Sequence, residues 1–383
     1  MEHIYLDHAA STPVHPDVAA EMVKVMTGHV GNASSIHAYG RDVKKLIQKA
    51  RDRIAKVVDC LPEELVFTSG GTESDNLALF GVATAFAHQG RHIITTQAEH
   101  HAILHTCEQL EANGYEVTYL PVDQYGRVTP TGVVEAIRED TILISIMYAN
   151  NETGTIQPIE EIGEIAKTHH VLFHVDAVQA VGLLPISCTQ LPVDLMSFSS
   201  HKMNGPQGIG ALYVRQKLQL TPLLFGGLQE KKRRAGTENV AGIVGFAIAA
   251  DIAYRDQKVN LEHYEELRAL FLAQLDERVG HERYIINGHP EHRLPHIINI
   301  SFPECGTETM LMNLDMEGIA VASGSACTSG SLEPSHVLKA MNLSEETLSS
   351  AIRFSMGMGN TTNNLKFTAQ KIGTILERLR NRK

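Results

Sequence analysis

The chain has 383 residues, 43% of them hydrophobic and 20% charged, a balance that fits two or three folded domains and excludes long disorder, collagen and fibre. The formal net charge is -11. Lys231, Lys232, Arg233 and Arg234 form a local basic cluster, but no basic stripe runs over a domain, so direct nucleic-acid binding is not expected. The five cysteines, Cys60, Cys107, Cys188, Cys305 and Cys327, contain no CxxC pair, which excludes a disulfide framework and a zinc ribbon and fits a reducing cytoplasm. The start of the chain has no basic region followed by an apolar core. The longest charge-free apolar stretch, 240–250, falls far short of the roughly 20 residues a membrane span needs, so neither an export signal nor an anchor is expected.

From about residue 60 to 215, short runs rich in Val, Ile and Phe alternate with stretches of helical period, the pattern of repeated βα units around a mainly parallel sheet. The expected strands are 65–68, 92–96, 116–120, 142–148, 171–175, 195–198 and 209–214, seven in one layer, with helices such as 72–88 and 160–168 between them. A long helical region from 240 to about 279 follows. Shorter strands at 297–302, 319–322 and 352–355 then alternate with helices as a second, smaller α/β unit, to which the first residues are assigned. The expected division is a large domain over 12–255 and a small one made of 1–11 and 256–383.

Ligands of open parallel sheets bind beyond the carboxyl ends of the strands, so the residues following each expected strand carry the search for chemistry. Four segments stand out. Residues 68–76, TSGGTESDN, end a strand in a Gly-rich turn that opens a helix; free N–H groups and the helix dipole suit an anion there, although Ser and Thr also cap helices for structural reasons alone. Residues 173–179, FHVDAVQ, place Asp176 at the end of an apolar strand and Gln179 three residues on. Such a carboxylate needs a partner, which a protonated heterocyclic nitrogen, an ion pair or a helix cap would each supply. In the third segment, after the strand at 195–198, Lys202 sits beside His201 and before a Gly-Pro loop, a setting for a desolvated amine able to attack a carbonyl. In the fourth, residues 322–331, Cys327 lies among small residues with hardly any apolar anchors, so its thiol is read as exposed and reactive, whereas the other four cysteines are read as inert.

Two further features rate lower. His100, His101 and His105 include an i, i+4 pair but no HExxH arrangement, so no metal site is expected. Arg353, inside an expected strand, demands an anionic partner, and a substrate α-carboxylate would suit its fork.

Taken together these segments resemble the cysteine desulfurases of the class V aminotransferase family, pyridoxal-phosphate enzymes of fold type I. The resemblance runs in order over almost the whole chain: YLDHAA at 5–10, GNASSIH at 31–37, TSGGTES, the AEHHA around His100, ANNETG, HVDAVQA, SSHK, RAGTEN at 234–239, GSACTSGS, and IRFS ending at Ser355. It implies conversion of L-cysteine to L-alanine, with the sulfur passing to Cys327 as a persulfide and on to an acceptor protein for iron–sulfur assembly or tRNA thiolation. By the same resemblance Lys202 holds pyridoxal 5'-phosphate as a Schiff base, Asp176 pairs with the pyridine nitrogen, Gln179 bonds the ring hydroxyl, and His100 stacks on the ring and shuttles protons. Gly71, Thr72, Ser199 and His201 would bind the phosphate, Thr237 would reach it from the other subunit of a homodimer, and Asn151 and Arg353 would hold the substrate carboxylate. The Cys327 segment resembles that of the group whose mobile cysteine carries sulfur to a partner, with a transient iron–sulfur contact at Cys327 as the one metal contact considered. Met203, Asn204, Gln207, Lys231 and Lys232 depart from the common pattern, the two lysines standing where a glycine is usual. A selenocysteine lyase, a true aminotransferase and a non-catalytic regulatory protein of the same fold are the alternatives. Cys327, which transamination does not require, and the joint presence of Lys202, Asp176 and His100 discriminate against them.

Overall fold

The computed structural model describes residues 3–324 and 334–381. β1 (Ile4–Tyr5), α1 (Pro16–Gly28) and α2 (Ala38–Val57) open the chain. There follow β2 (Leu65–Thr68), α3 (Gly71–Phe86), β3 (His92–Thr96), α4 (His101–Ala112), β4 (Glu116–Leu120), α5 (Pro130–Ala136), β5 (Thr141–Met147), α6 (Ile159–Thr168), β6 (Leu172–Asp176), β7 (Leu195–Ser199) and β8 (Gly210–Val214). The seven strands β2 to β8 form one sheet in the order β2-β8-β7-β6-β5-β3-β4, in which β8 alone runs antiparallel to its two neighbours. All seven expected strands are present with each end within one residue of its expected place.

Period two along the strands divides the core between the two sheet faces. Ile144, Ile146, Phe173, Val175, Met196 and Phe198 pack with α1, α2, α5 and α6 on one face. Ile93, Leu143, Leu195 and Leu212 pack with α3 and α4 on the other. The helices reach these layers by single apolar stripes, such as Val43, Ile47, Ala50 and Ile54 on α2. On the α3 face the strands turn polar toward their carboxyl ends. Ser145, His174, Asp176, Ser197 and Ser199, all buried, occupy the positions where the alternation would otherwise place apolar side chains.

α7 (Val240–Arg278) then leads to β9 (Ile285–Asn287), β10 (Ile297–Ser301), α8 (Thr307–Met316), β11 (Ile319–Ala320), α9 (His336–Ala340), α10 (Glu345–Leu348), β12 (Ala351–Ser355) and α11 (Thr362–Arg380). β12, β10 and β9 form an antiparallel sheet, and β1 pairs parallel with β11. β9 lacks a sequence signal because it has three residues, two of them exposed. β11 is shorter than expected; Ala322 instead forms an isolated bridge to Arg353. A bridge between Asp7 and Ser355 lays the segment after β1 along β12. The 39 residues of α7 join two apolar clusters: Ile243, Phe246 and Ala247 pack in the first, and Leu267, Phe271 and Leu275 in the second, with β10, β12 and α11.

Candidate active site

The carboxyl ends of β3, β5, β6 and β7, the start of α3, the segment after β1 and Arg353 of β12 converge on a cavity of about 310 Å³. Gly71, Thr72, His100, Asn151, Asp176, Gln179, Ser199, His201, Lys202 and Arg353 all line it. Larger clefts beside Glu230 (about 430 Å³) and between α1, α2 and α7 (about 870 Å³) contain none of them.

Lys202 follows β7 directly, and its Nζ donates to the carbonyls of Ala9 (2.5 Å) and Ala10 (2.8 Å). Gln179 Nε2 donates to the same Ala9 carbonyl at 3.0 Å, so backbone oxygens of the N-terminal segment fix both side chains. The segment is in turn tied to the loop after β7. Thr12 donates through N and Oγ1 to the His201 carbonyl, Asn204 N donates to Thr12 Oγ1, and Gln207 Nε2 donates to Ser11 Oγ. The departures at Asn204 and Gln207 are thus spent on this joint. Asn204 also takes a left-handed φ of 62°, which its short amide tolerates better than most side chains.

Asp176 ends β6 on the polar face, and its Oδ1 accepts from Val178 N at 2.9 Å. Burial raises its carboxyl above the ordinary range, while the Val178 N–H and Lys202 pull it back. Two more carboxyls are buried nearby. Burial pushes up Asp75, with Asp176 and Glu99 adding to the effect. Burial also raises Glu99 to about 8, against a bond from Thr96 Oγ1 and the N–H of Met147. His100 caps α4, its Nδ1 accepting from Ala102 N at 3.1 Å; burial first, and then Lys202, lowers it to about 4. His201 is lowered to about 4 by the same two causes. At neutral pH both rings are therefore uncharged.

The first turn of α3 has no side-chain cap at Gly70, which leaves its N–H groups and dipole end for an anion. Glu73 in that turn is occupied elsewhere, accepting from Ser69 N at 2.8 Å and from Arg234 Nε at 2.8 Å. The turn is close-packed: a Cβ on Gly71 would lie 2.7 Å from Val178 Cγ2. Arg353 is 4% exposed. The anionic partner that its burial demanded is Asp7, whose Oδ1 accepts from Nη2 at 2.8 Å, while Nη1 donates to the Asn151 carbonyl at 3.0 Å. Its Nε has no partner among the described residues.

Thr237 is exposed and does not line this cavity, and Cys327 lies outside the described residues. Sequence reasoning placed Asp7, Ala9, Ala10, Asp75 and Glu99 inside the YLDHAA, TSGGTESDN and AEHHA segments but gave none of them a role. The two alanines act through backbone oxygens, a role that no side-chain chemistry marks. Asp75 had a usable signal, as an acid followed by the apolar run of α3.

A family model described as Aminotransferase class-V matches residues 4–367, and the chain belongs to that family. The "Cysteine desulfurase IscS" of Dictyoglomus turgidum (strain DSM 6724 / Z-1310) is 47% identical over 98% of this chain and 95% of its own length. That of Methanosarcina thermophila is 47% identical over 99% of this chain and 93% of its own. A solved "NifS-like protein" superposes with a TM-score of 0.93 at 38% identity, covering 98% of this chain and all of that one. The activity is that of a cysteine desulfurase. Enzymes of this family depend on pyridoxal phosphate, and the cavity has the groups to fit it: an amine, a buried carboxylate at the end of β6 and an uncapped helix start for a phosphate. Among the described residues no helix is long and apolar enough to cross a membrane.

Proposed function

We propose that the cavity binds pyridoxal 5'-phosphate through Lys202 and converts L-cysteine to L-alanine while Cys327 takes the sulfur as a persulfide. The observation that carries this reading is the convergence of Lys202, the buried Asp176 and the neutral His100 on a single cavity. Asp176 would face the ring nitrogen, Gln179 the ring hydroxyl, His100 the ring itself, and Gly71, Thr72, Ser199 and His201 the phosphate. When bound, the cofactor supplies an electron sink for the pair left behind as the substrate α-proton departs.

The remaining work falls to side chains of this protein. Arg353 and Asn151 orient the substrate carboxylate, with Asp7 and the Asn151 carbonyl holding the guanidinium in place. His100 Nδ1 accepts the Ala102 N–H, so the hydrogen of the neutral ring sits on Nε2, which is a hydrogen-bond donor. The base for the α-proton is then the Lys202 amine, held at the cavity by the Ala9 and Ala10 carbonyls. The Cys327 thiolate forms an S–S bond to the substrate sulfur as the Cβ–S bond breaks. The electron pair of that bond stays with the carbon skeleton, which takes up a proton and leaves as alanine.

The persulfide passes to an acceptor protein, a scaffold for iron–sulfur assembly or a tRNA-thiolation enzyme. Thr237 acts across a homodimer, which its exposure two residues before the Asn239 cap of α7 favours. The second apolar cluster, which joins Ile4 and Leu6 with side chains from Leu267 to Leu376, supports a division into 12–255 and 1–11 with 256–383, with Val337, Leu338, Met341, Leu348 and Ala351 packing across it in the first, and a sequence with no CxxC pair supports a cytoplasmic setting. Cys327→Ala is expected to keep the visible absorption of bound cofactor and to lose persulfide formation, and Lys202→Ala to lose both. Alanine release from cysteine at the normal rate by Lys202→Ala would sink the proposal.

A further inference from the structure

The residues that flank the Cys327 segment meet on one side chain that the reaction above leaves unused. Glu152 lies in the turn after β5, one residue beyond Asn151, and is 2% exposed. That turn is fixed from several sides. Asn150 Oδ1 accepts from the N–H groups of Glu152 (2.9 Å) and Thr153 (3.0 Å), Asn150 Nδ2 donates to the Ala98 carbonyl at 3.0 Å, and Asn299 Nδ2 of β10 donates to the Glu152 carbonyl at 3.3 Å. Glu152 Oε2 accepts from Ser335 Oγ at 2.5 Å. The Ser335 hydroxyl in turn accepts from Leu338 N at 3.2 Å as the cap of α9, so its donor and acceptor roles are both specified. The same carboxyl lies against Gly324, where a Cβ would overlap Oε2 and Cδ of Glu152. Gly324 holds no left-handed φ, so close approach rather than backbone freedom calls for glycine there.

Gly324 precedes and Ser335 follows the stretch that contains Cys327, and Gly324 lines the cavity together with Lys202 and Arg353. Cys327 is three residues beyond Gly324, and three residues of any chain span at most about 10 Å. Where Gly324 is held therefore bounds where the thiol can be. Two further contacts tie the flanks to the site. Ala322 exchanges backbone hydrogen bonds of 3.2 and 2.7 Å with Arg353, and His336 Nε2 donates to the Glu99 carbonyl at 2.8 Å. We propose that Glu152 is a positioning residue for sulfur transfer: its carboxyl joins Gly324, on the cavity wall, to Ser335 and so keeps the Cys327 thiol within reach of a bound substrate. The inference rests on the reading of Cys327 as the group that takes the sulfur. Restricting both ends of a tether raises the effective concentration of what it carries, and this is how a residue that touches neither substrate nor cofactor contributes to the rate of one step.

Three variants of the full chain test this. Glu152→Ala removes the acceptor, Glu152→Gln keeps an oxygen for Ser335 in the same shape, and Gly324→Ala forces the carboxyl aside. Hydrogen exchange is read first, in protein without added cofactor. The amides of 321–324 and of 335–341 are expected to exchange about tenfold faster in Glu152→Ala and at the wild-type rate in Glu152→Gln; a change at one flank only, or at neither, overturns the proposal. Protein loaded with pyridoxal phosphate is then mixed with L-cysteine and followed by visible absorption, for the steps before sulfur leaves, and by the mass of the Cys327 peptide, for the persulfide. Glu152→Ala is expected to slow the persulfide at least about tenfold and to leave the first absorption change within about twofold of wild type. Equal slowing of both would show a general structural role and overturn the proposal. Gly324→Ala is expected to match Glu152→Ala, and the double variant to be no slower than either, because the added methyl takes the space that the carboxyl leaves; additive losses overturn the pairing. A persulfide that still forms in Cys327→Ala fails the reading of that cysteine instead, and the exchange rates still report on Glu152 separately.

Discussion

Glu230 shows how one buried residue organises its surroundings. Its side chain is 4% exposed, and its carboxylate accepts from Nη2 and Nη1 of Arg51, at 2.5 and 2.9 Å, and from the N–H of Phe67 at 2.9 Å. The Arg51 guanidinium in turn lies 4.4 Å over the Phe67 ring. Removing one partner of such a pair strands the other, so Glu230→Ala is expected to lower stability by roughly 3–5 kcal/mol in urea unfolding, and Glu230→Gln by clearly less. Glu230, Lys231 and Lys232 hold φ values of 43°, 56° and 69°, left-handed backbone in which glycine is at ease. Lys232→Gly, at a place where the sequence pattern already suggested glycine, is expected to gain about 0.5 kcal/mol in the same assay; a loss would show that its side chain matters more than its backbone. At this scale the sequence was informative where chemistry sits in a side chain at a strand end, as with Lys202, Asp176 and His100. It marked Asp7, Ala9 and Ala10 only as part of the YLDHAA segment and gave them no role, because the working parts of the alanines are carbonyls and the partner of Asp7, Arg353, is 346 residues away.

Elements position the site through close approach of backbone. β8 enters the sheet at Gly210, where a Cβ would lie 2.5 Å from Phe198 O and 2.7 Å from Gly70 Cα. Gly210→Ala must therefore push β8 and the turn before α3 apart, at a cost of about 1–3 kcal/mol. Because that turn opens the helix start proposed for the phosphate, affinity for pyridoxal phosphate should fall at least about tenfold if 1.4 kcal/mol of the strain is felt there. Direct titration measures this, and unchanged affinity would detach Gly210 from the site. The central strands were readable because both of their faces are buried and their Val, Ile and Phe runs are bounded by turns. The antiparallel direction of β8 and the short β9 were not, since neither composition nor period records strand direction or pairing.

Across the whole molecule, α7 is common to both apolar clusters, so loss of packing on its second half should be felt mainly in the second. Phe271 packs there at 5.2 Å from the Phe354 ring, and Phe271→Ala is expected to cost roughly 3–5 kcal/mol by chemical denaturation. Stability should also fall with acid. His8, His100 and His201 are held at about 4, and His174 and His296 at about 3, with burial the leading cause in each. Their unfolded value is near 6.5, so the unfolded chain binds more protons as pH drops from about 6.5 to about 4, and folding stability is lost over that window. Glu99, raised to about 8, and Asp75, Asp176 and Asp194, also raised by burial, work in the opposite direction as pH rises from their unfolded values near 4, four carboxyls against eight histidines once His92, His101 and His289, likewise lowered by burial, are counted. Urea midpoints at pH 7 and pH 5 check the net sign; equal midpoints would show that these rings are not neutral in the fold.

The order of residues was enough to determine the βα alternation, the seven strands and the strand-end residues able to do chemistry, because burial pattern and turn composition are local properties. Tertiary structure alone decided which of those residues meet. It brought residues 7–10 onto Lys202, Gln179 and Arg353, set Asp75 behind Asp176, and left Thr237 outside the cavity. These outcomes depend on chain crossings, strand direction and the removal of water from charged groups. Such quantities exist only when segments distant in sequence are packed together.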